Sequence, residues 1–142
     1  MTKKHTFKIQ NTFNEIELLC AEINDIAQDD NFSEQLIFCL NVCLEEMLTN
    51  IVKYAYEAEG KHEIEVCLEI KNKIITLKII DDGHEFNPLE HKTPNIHSDI
   101  RHRKIGGIGI FLTCKMSNQM TYKRKHNKNI INISLSSEEK CK

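Results

Sequence analysis

Apolar positions along the chain change period several times, and each change marks an element. From Lys4 to Gln10 the residues alternate, with His5, Phe7 and Ile9 set against Thr6, Lys8 and Gln10, which predicts a first strand at a sheet edge. Asn11 or Thr12 then offers an N-cap, with Glu15 placed for a capping box with Thr12. Ile16, Leu19, Cys20, Ile23 and Ile26 follow at helical spacing until Asp29-Asp30-Asn31 breaks the pattern. Ser33 is the next N-cap. From Glu34 to about Ala58 a longer stripe runs through Leu36, Leu40, Cys43, Leu44, Met47, Leu48, Ile51 and Ala55, the mark of a helix buried along one side. Glu59-Gly60-Lys61 stops it. Two alternating runs, His62 to Ile70 and Ile74 to Ile80, flank Lys71-Asn72-Lys73 and predict an antiparallel hairpin. The stretch from His84 to Ile105 lacks periodicity and holds both prolines, the composition of a lid or binding loop. A short helix through Ile110, Phe111, Cys114 and Met116 or Ser117 comes next. A last hairpin pairs Gln119 to Lys125 with Asn129 to Leu135, and the tail from Ser136 is polar. Strands joined by hairpins, with helices segregated between them, predict an α+β two-layer sandwich.

Length and charge narrow the picture. A chain of 142 residues reads as one domain spanning 1–142, large enough to bury a core without staples. With 19 basic against 21 acidic residues there is no global case for nucleic acid or an anionic membrane. No stretch reads as apolar for long enough to span a bilayer, and MTKKHTFKIQ lacks the apolar run of a signal peptide. The six cysteines, none in C-x-x-C spacing, read as thiols of a reducing cytoplasm. His97 and His102 are too poorly accompanied to make a metal site.

Three patches carry candidate chemistry. Glu46 and Asn50 lie one helical turn apart, flanking the buried stripe. A carboxylate and a carboxamide so placed can hold a hydrated divalent cation and move a proton; taken alone such a pair is far more often two ordinary flank residues. Asp81 ends a buried strand, where an unpaired carboxylate is costly, and Gly83 lets the backbone turn tightly. Asp81 or Asp82 would also suit the plain task of capping the Asp-Gly bend. Gly107 and Gly109 open a helix whose unpaired N–H groups favour phosphate oxygens, though such glycines also make simple turns. The chain has no G-x-x-x-x-G-K-[ST] and no H-R-D with D-F-G, which excludes P-loop and eukaryotic-type kinase chemistry.

In order and spacing, Glu45 to Tyr56, Asp81 to Pro88 and Gly106 to Leu112 resemble the N, G1 and G2 boxes of the histidine-kinase-like (GHKL) ATPase superfamily. Within it the chain is most similar to the small anti-sigma-factor serine/threonine kinases, which carry the D-x-G-x-x-F-x-P seen at Asp81 to Pro88. The resemblance implies a mixed, mostly antiparallel sheet with helices on one face. It implies that Asp81 accepts from the adenine amino group, and that Gly83, Phe86, Gly107, Gly109 and Ile110 line the nucleotide. It implies that Asn50 ligates Mg²⁺ and that Glu46 is the general base for an attacking hydroxyl. Lys53, one turn beyond Asn50, either reaches a phosphate or packs its stem with its head in water. Arg101, Arg103 and Lys104 in the lid close on the γ-phosphate, dock an acidic partner, or form a plain solvated run.

The implied activity is ATP-dependent phosphorylation of a protein serine or threonine. The implied substrate is an anti-sigma-factor antagonist of STAS type, and the same surface is expected to sequester a sigma factor. Relatives often form homodimers, and the setting is cytoplasmic, with no direct nucleic-acid or membrane partner. The alternatives are a non-catalytic module whose nucleotide orders a docking surface and a stand-alone histidine-kinase-type domain. The latter is disfavoured because the chain begins directly with a strand. Departures from the family pattern fall at Tyr54, where many relatives carry His, at Glu85, where many carry Gly, and at Asn129-Ile130, where some carry Gly-Thr.

Overall fold

The computed structural model describes residues 2–56, 60–91 and 107–137. Five strands form one sheet in the order β1-β2-β3-β5-β4. They are β1 (Lys3–Gln10), β2 (Glu63–Lys71), β3 (Ile74–Asp81), β4 (Gln119–Lys125) and β5 (Lys128–Leu135). Three helices, α1 (Phe13–Asp29), α2 (Glu34–Tyr54) and α3 (Gly107–Met116), interrupt them. Among the described residues every strand pair is antiparallel, so the sheet is not mixed. β1 is indeed an edge strand.

Both hairpins turn through two residues at positive φ, Asn72 and Lys73 in one, His126 and Asn127 in the other. That pair of left-handed residues matches the twist of the flanking strands and fixes their register. One sheet face is apolar: Ile64, Val66, Leu68 and Ile70 of β2, Ile75, Leu77 and Ile79 of β3, and Ile131, Ile133 and Leu135 of β5 are buried. The stripe of α2 covers this face together with α1 and α3, giving two layers around one core. Each fully buried Leu or Ile contributes about 1.5–3 kcal/mol by leaving water.

The helix starts follow the sequence signals with one adjustment. Thr12 accepts from the Glu15 N–H at 3.2 Å, but Glu15 Oε1 accepts from the Gln10 N–H at 3.2 Å and does not close the capping box on Thr12. Ser33 caps α2 by accepting from the Leu36 N–H at 3.1 Å. By length and composition α2 is long and apolar enough to cross a membrane, contrary to the sequence expectation. Most of its apolar residues are instead buried in the core, from Leu36 to Ile51, although Phe38 is exposed. α2 also ends sooner than about Ala58, at Tyr54 with Ala55 as its cap. The reason is tertiary. The His84 N–H donates to the Ala55 carbonyl at 3.0 Å, and His84 Nε2 lies 2.6 Å from the Tyr54 carbonyl oxygen. A carbonyl only accepts, so Nε2 is the donor. The loop after β3 thus takes the carbonyls at the end of the helix.

Candidate active site

A cleft opens between the C-terminal half of α2 and the ends of β3 and β5. Met47, Asn50, Ile51, Tyr54 and Ala55 line it from α2, and Asp81 from β3. His84, Phe86 and Pro88 line it from the following loop, and Asn129 and Ile131 from β5. It is open to solvent. Its walls are mostly apolar, with a few converging polar groups, as ligand clefts usually are.

The polar groups are specific. Asn50 is buried, and its Oδ1 has no hydrogen-bond partner among the described residues. A buried carbonyl oxygen without a donor costs about 1–3 kcal/mol, which a ligand or cation in the cleft would offset; Asn41 Oδ1, away from the cleft, is in the same state. Asp81 is also buried, and both hydrogen bonds it receives from the described residues go to Oδ1, from the Gly83 N–H at 2.9 Å and from Asn129 Nδ2 at 3.0 Å. Asp81 therefore performs the bend-capping task itself, while Asp82 faces outward and accepts from the Tyr56 hydroxyl at 3.2 Å. Burial raises the Asp81 carboxyl above its usual range, against the lowering pull of the Asn129 and Gly83 bonds.

Two glycines let the walls close. A Cβ on Gly83 would lie 2.5 Å from the Ala55 carbonyl oxygen and 2.6 Å from its Cβ, so the loop can only sit against α2 with no side chain there. A Cβ on Gly109 would collide with the Glu46 carboxylate. Glu46 thus rests on the first turn of α3, beside the N–H groups that have no partner within that helix. Thr113 is buried and steadies this turn by donating its hydroxyl to the Gly109 carbonyl at 2.9 Å.

The structure brings Asn50, Asp81 and Phe86 into one cleft, with Gly83 behind Asp81 and Glu46 against Gly109. It places Lys53 elsewhere: its side chain is exposed and does not line the cleft. The Ile110 side chain is buried in the core, which leaves only its backbone for a ligand. Gly107 begins α3. Arg101, Arg103, Lys104, His97 and His102 lie outside the described residues, as do Gly106 and the last five residues of the chain. Within the described part of the irregular segment, Pro88–His91 form a 3-10 turn and Phe86 stacks on His91 at 4.8 Å.

From the sequence, Asn129 is only a departure from the family pattern and is not placed in the site. It stands opposite Asp81 in the β3–β5 register. A signal was present: counting back by two from Ile133 and Ile131 puts Asn129 on the inward face, a polar residue at an apolar position.

A sequence model of the histidine kinase-like ATPase domain matches residues 9–135. The serine/threonine-protein kinase BtrW of Bordetella bronchiseptica is 26% identical over 112 residues, 79% of each chain. The serine-protein kinase RsbW of Listeria innocua is 30% identical over 94 residues, 63% of this chain and 60% of that one, so the chain spans less than two thirds of its length. Among solved structures, that of the RsbU and RsbW domains of Rv1364c from Mycobacterium tuberculosis superposes with a TM-score of 0.67 at 11% identity. The match covers 94% of this chain and 32% of that longer one, and at this identity it speaks to fold.

Proposed function

This chain belongs to the histidine kinase-like ATPase domain family, and from that premise we propose that it is an ATP-dependent protein serine/threonine kinase of the anti-sigma-factor type. Its kinase-named relatives support the activity. The observation that carries the reading is the cleft's pairing of a buried Asn50 amide oxygen that has no partner among the described residues with an Asp81 carboxylate whose bonds from those residues both fall on one oxygen. Oδ2 of Asp81 suits the amino group of adenine. Met47, Ile51, Phe86 and Ile131 supply apolar walls for the base.

The amide oxygen of Asn50 suits Mg²⁺, a hard cation that keeps several waters and takes one or two protein oxygens. When bound, the metal supplies charge neutralisation on the phosphates. The N–H groups of the first turn of α3 favour phosphate oxygens. Glu46, beside that turn, accepts the proton of the attacking serine or threonine hydroxyl. The hydroxyl oxygen bonds to the γ-phosphorus, the bond to the bridging oxygen breaks, and ADP leaves. The substrate proposed is an anti-sigma-factor antagonist of STAS type, with a sigma factor as a second partner of the same surface, in a cytoplasmic homodimer.

Incubation with γ-labelled ATP and candidate antagonists from the same genome, followed by phosphoamino-acid analysis, tests the proposal. Label on serine or threonine of a partner is expected. Tight ATP binding without any phosphoprotein leaves a nucleotide-gated docking module, and label on histidine a histidine-kinase-type domain; either result refutes the kinase assignment.

A further inference from the structure

Asn129 is buried at 4% exposure and uses all four hydrogen-bonding positions of its carboxamide. Nδ2 donates to Asp81 Oδ1 at 3.0 Å and to the His84 carbonyl at 2.9 Å. Oδ1 accepts from the Tyr122 hydroxyl at 2.6 Å and from the Phe86 N–H at 3.3 Å. One side chain thereby ties the carboxylate at the end of β3, two backbone groups of the loop after it, and a tyrosine of β4. Arg124, also on β4, holds the same loop by donating to the Gly83 carbonyl at 2.8 Å.

The directions of these bonds matter more than their number. The Tyr122 hydroxyl and the Phe86 N–H both give hydrogens to Oδ1, which fixes the amide so that Nδ2 faces Asp81. With Nδ2 and the Gly83 N–H both spent on Oδ1, the carboxylate is held in one rotation. Its other oxygen receives no hydrogen bond from the described residues and belongs to a side chain that lines the cleft, where it can serve as an acceptor. A group able to turn would offer either oxygen in several orientations and select poorly among bases.

We infer that Asn129 is the positioning residue that makes Asp81 a selective reader of a base bearing an amino donor. The inference rests on the assignment of the cleft to ATP. Asn129 does not touch the nucleotide in this account; it acts through Asp81. A merely structural Asn129 would weaken all nucleotides alike, whereas a positioning Asn129 governs the preference for the amino group.

The test compares binding of ATP and of purine riboside triphosphate, which lacks the 6-amino group, by calorimetry. The proteins are the wild-type chain, Asn129→Ala and Tyr122→Phe. Wild type is expected to prefer ATP by about tenfold or more, the worth of a hydrogen bond to a charged acceptor. In Asn129→Ala that preference should shrink toward unity, with ATP weakened more than purine riboside triphosphate. Tyr122→Phe removes one of the two donors that fix the amide, so it should shrink the preference in the same direction but less. It keeps the test decisive if Asn129→Ala does not fold. An unchanged ratio in the folded variants, or an equal loss for both nucleotides, overturns the inference while leaving the ATP assignment standing. A wild-type chain that binds neither nucleotide overturns that assignment, and the inference with it.

Discussion

Replacing Asp81 by asparagine should separate stability from binding in opposite directions. The carboxylate is buried, and desolvation is the largest influence on it, raising its pKa above the usual value of 3.8. Asn129, the Gly83 N–H and Arg124 pull the other way, and Asp82 adds to the rise. The folded state therefore holds the Asp81 proton more tightly than the unfolded chain. Its contribution to stability is greatest below the unfolded pKa and is lost as pH rises through the folded one. At neutral pH the ionised group is a net cost, which a neutral isostere removes. The asparagine Oδ1 can keep both bonds now made to Asp81 Oδ1. Its Nδ2 then occupies the position of the other oxygen and points a donor at the donor of the base. The lost charge-assisted bond alone weakens ATP by about 10- to 150-fold. Scanning calorimetry of the nucleotide-free proteins should show a variant melting no lower than wild type at pH 7, with any advantage shrinking as pH falls toward 4. Titration calorimetry should show ATP binding lost or strongly weakened. A variant that melts lower at pH 7, or that binds ATP like wild type, refutes this account of Asp81.

Other substitutions probe the walls. Gly83→Ala drives a Cβ into the Ala55 backbone; overpacking of about 1–3 kcal/mol should lower the melting temperature by about 3–10 °C and weaken ATP as the loop moves off α2. Gly109→Ala meets only the movable end of Glu46, and alanine is favoured over glycine in a helix by about 1 kcal/mol. The melting temperature should hold or rise, while phosphotransfer falls because the carboxylate is displaced, a split that calorimetry and a labelled-ATP assay together would show. Lys53→Ala removes an exposed head outside the cleft lining, so the dissociation constant for ATP should change by no more than about twofold. A larger loss would place Lys53 on a phosphate.

The elements and the inward faces were legible because period and burial coincide. The stripe of α2 and the alternation of β2, β3 and β5 each show one apolar face, and that face is the core. The end of α2 was not legible, because nothing local stops the helix at Tyr54; its last carbonyls are taken by His84, thirty residues downstream of Tyr54. The capping box failed for a similar reason, since Glu15 found a second donor in the β1 end at Gln10. Of the nucleotide residues that the three boxes pointed to, Asn50, Asp81 and Phe86 line the cleft, whereas Lys53, Gly83, Gly107, Gly109 and Ile110 do not. The boxes carry no information about Asn129 or Ile131, which reach the cleft only through the pairing of β5 with β3. Sequence also assigned Asp81 either the base or the bend, whereas in the folded chain one of its oxygens takes the bend and the other receives no hydrogen bond from the described residues.

The central claim is that this cleft binds ATP and that the Glu46 carboxylate, resting on the first turn of α3, draws the proton from the attacking hydroxyl. Glu46→Gln, compared with wild type for ATP affinity and for phosphoserine or phosphothreonine formation on a protein substrate, tests it most directly. The expected result is affinity within about threefold of wild type and transfer lower by about 10²–10⁴-fold, the usual contribution of a general base. Transfer at the wild-type rate would contradict it.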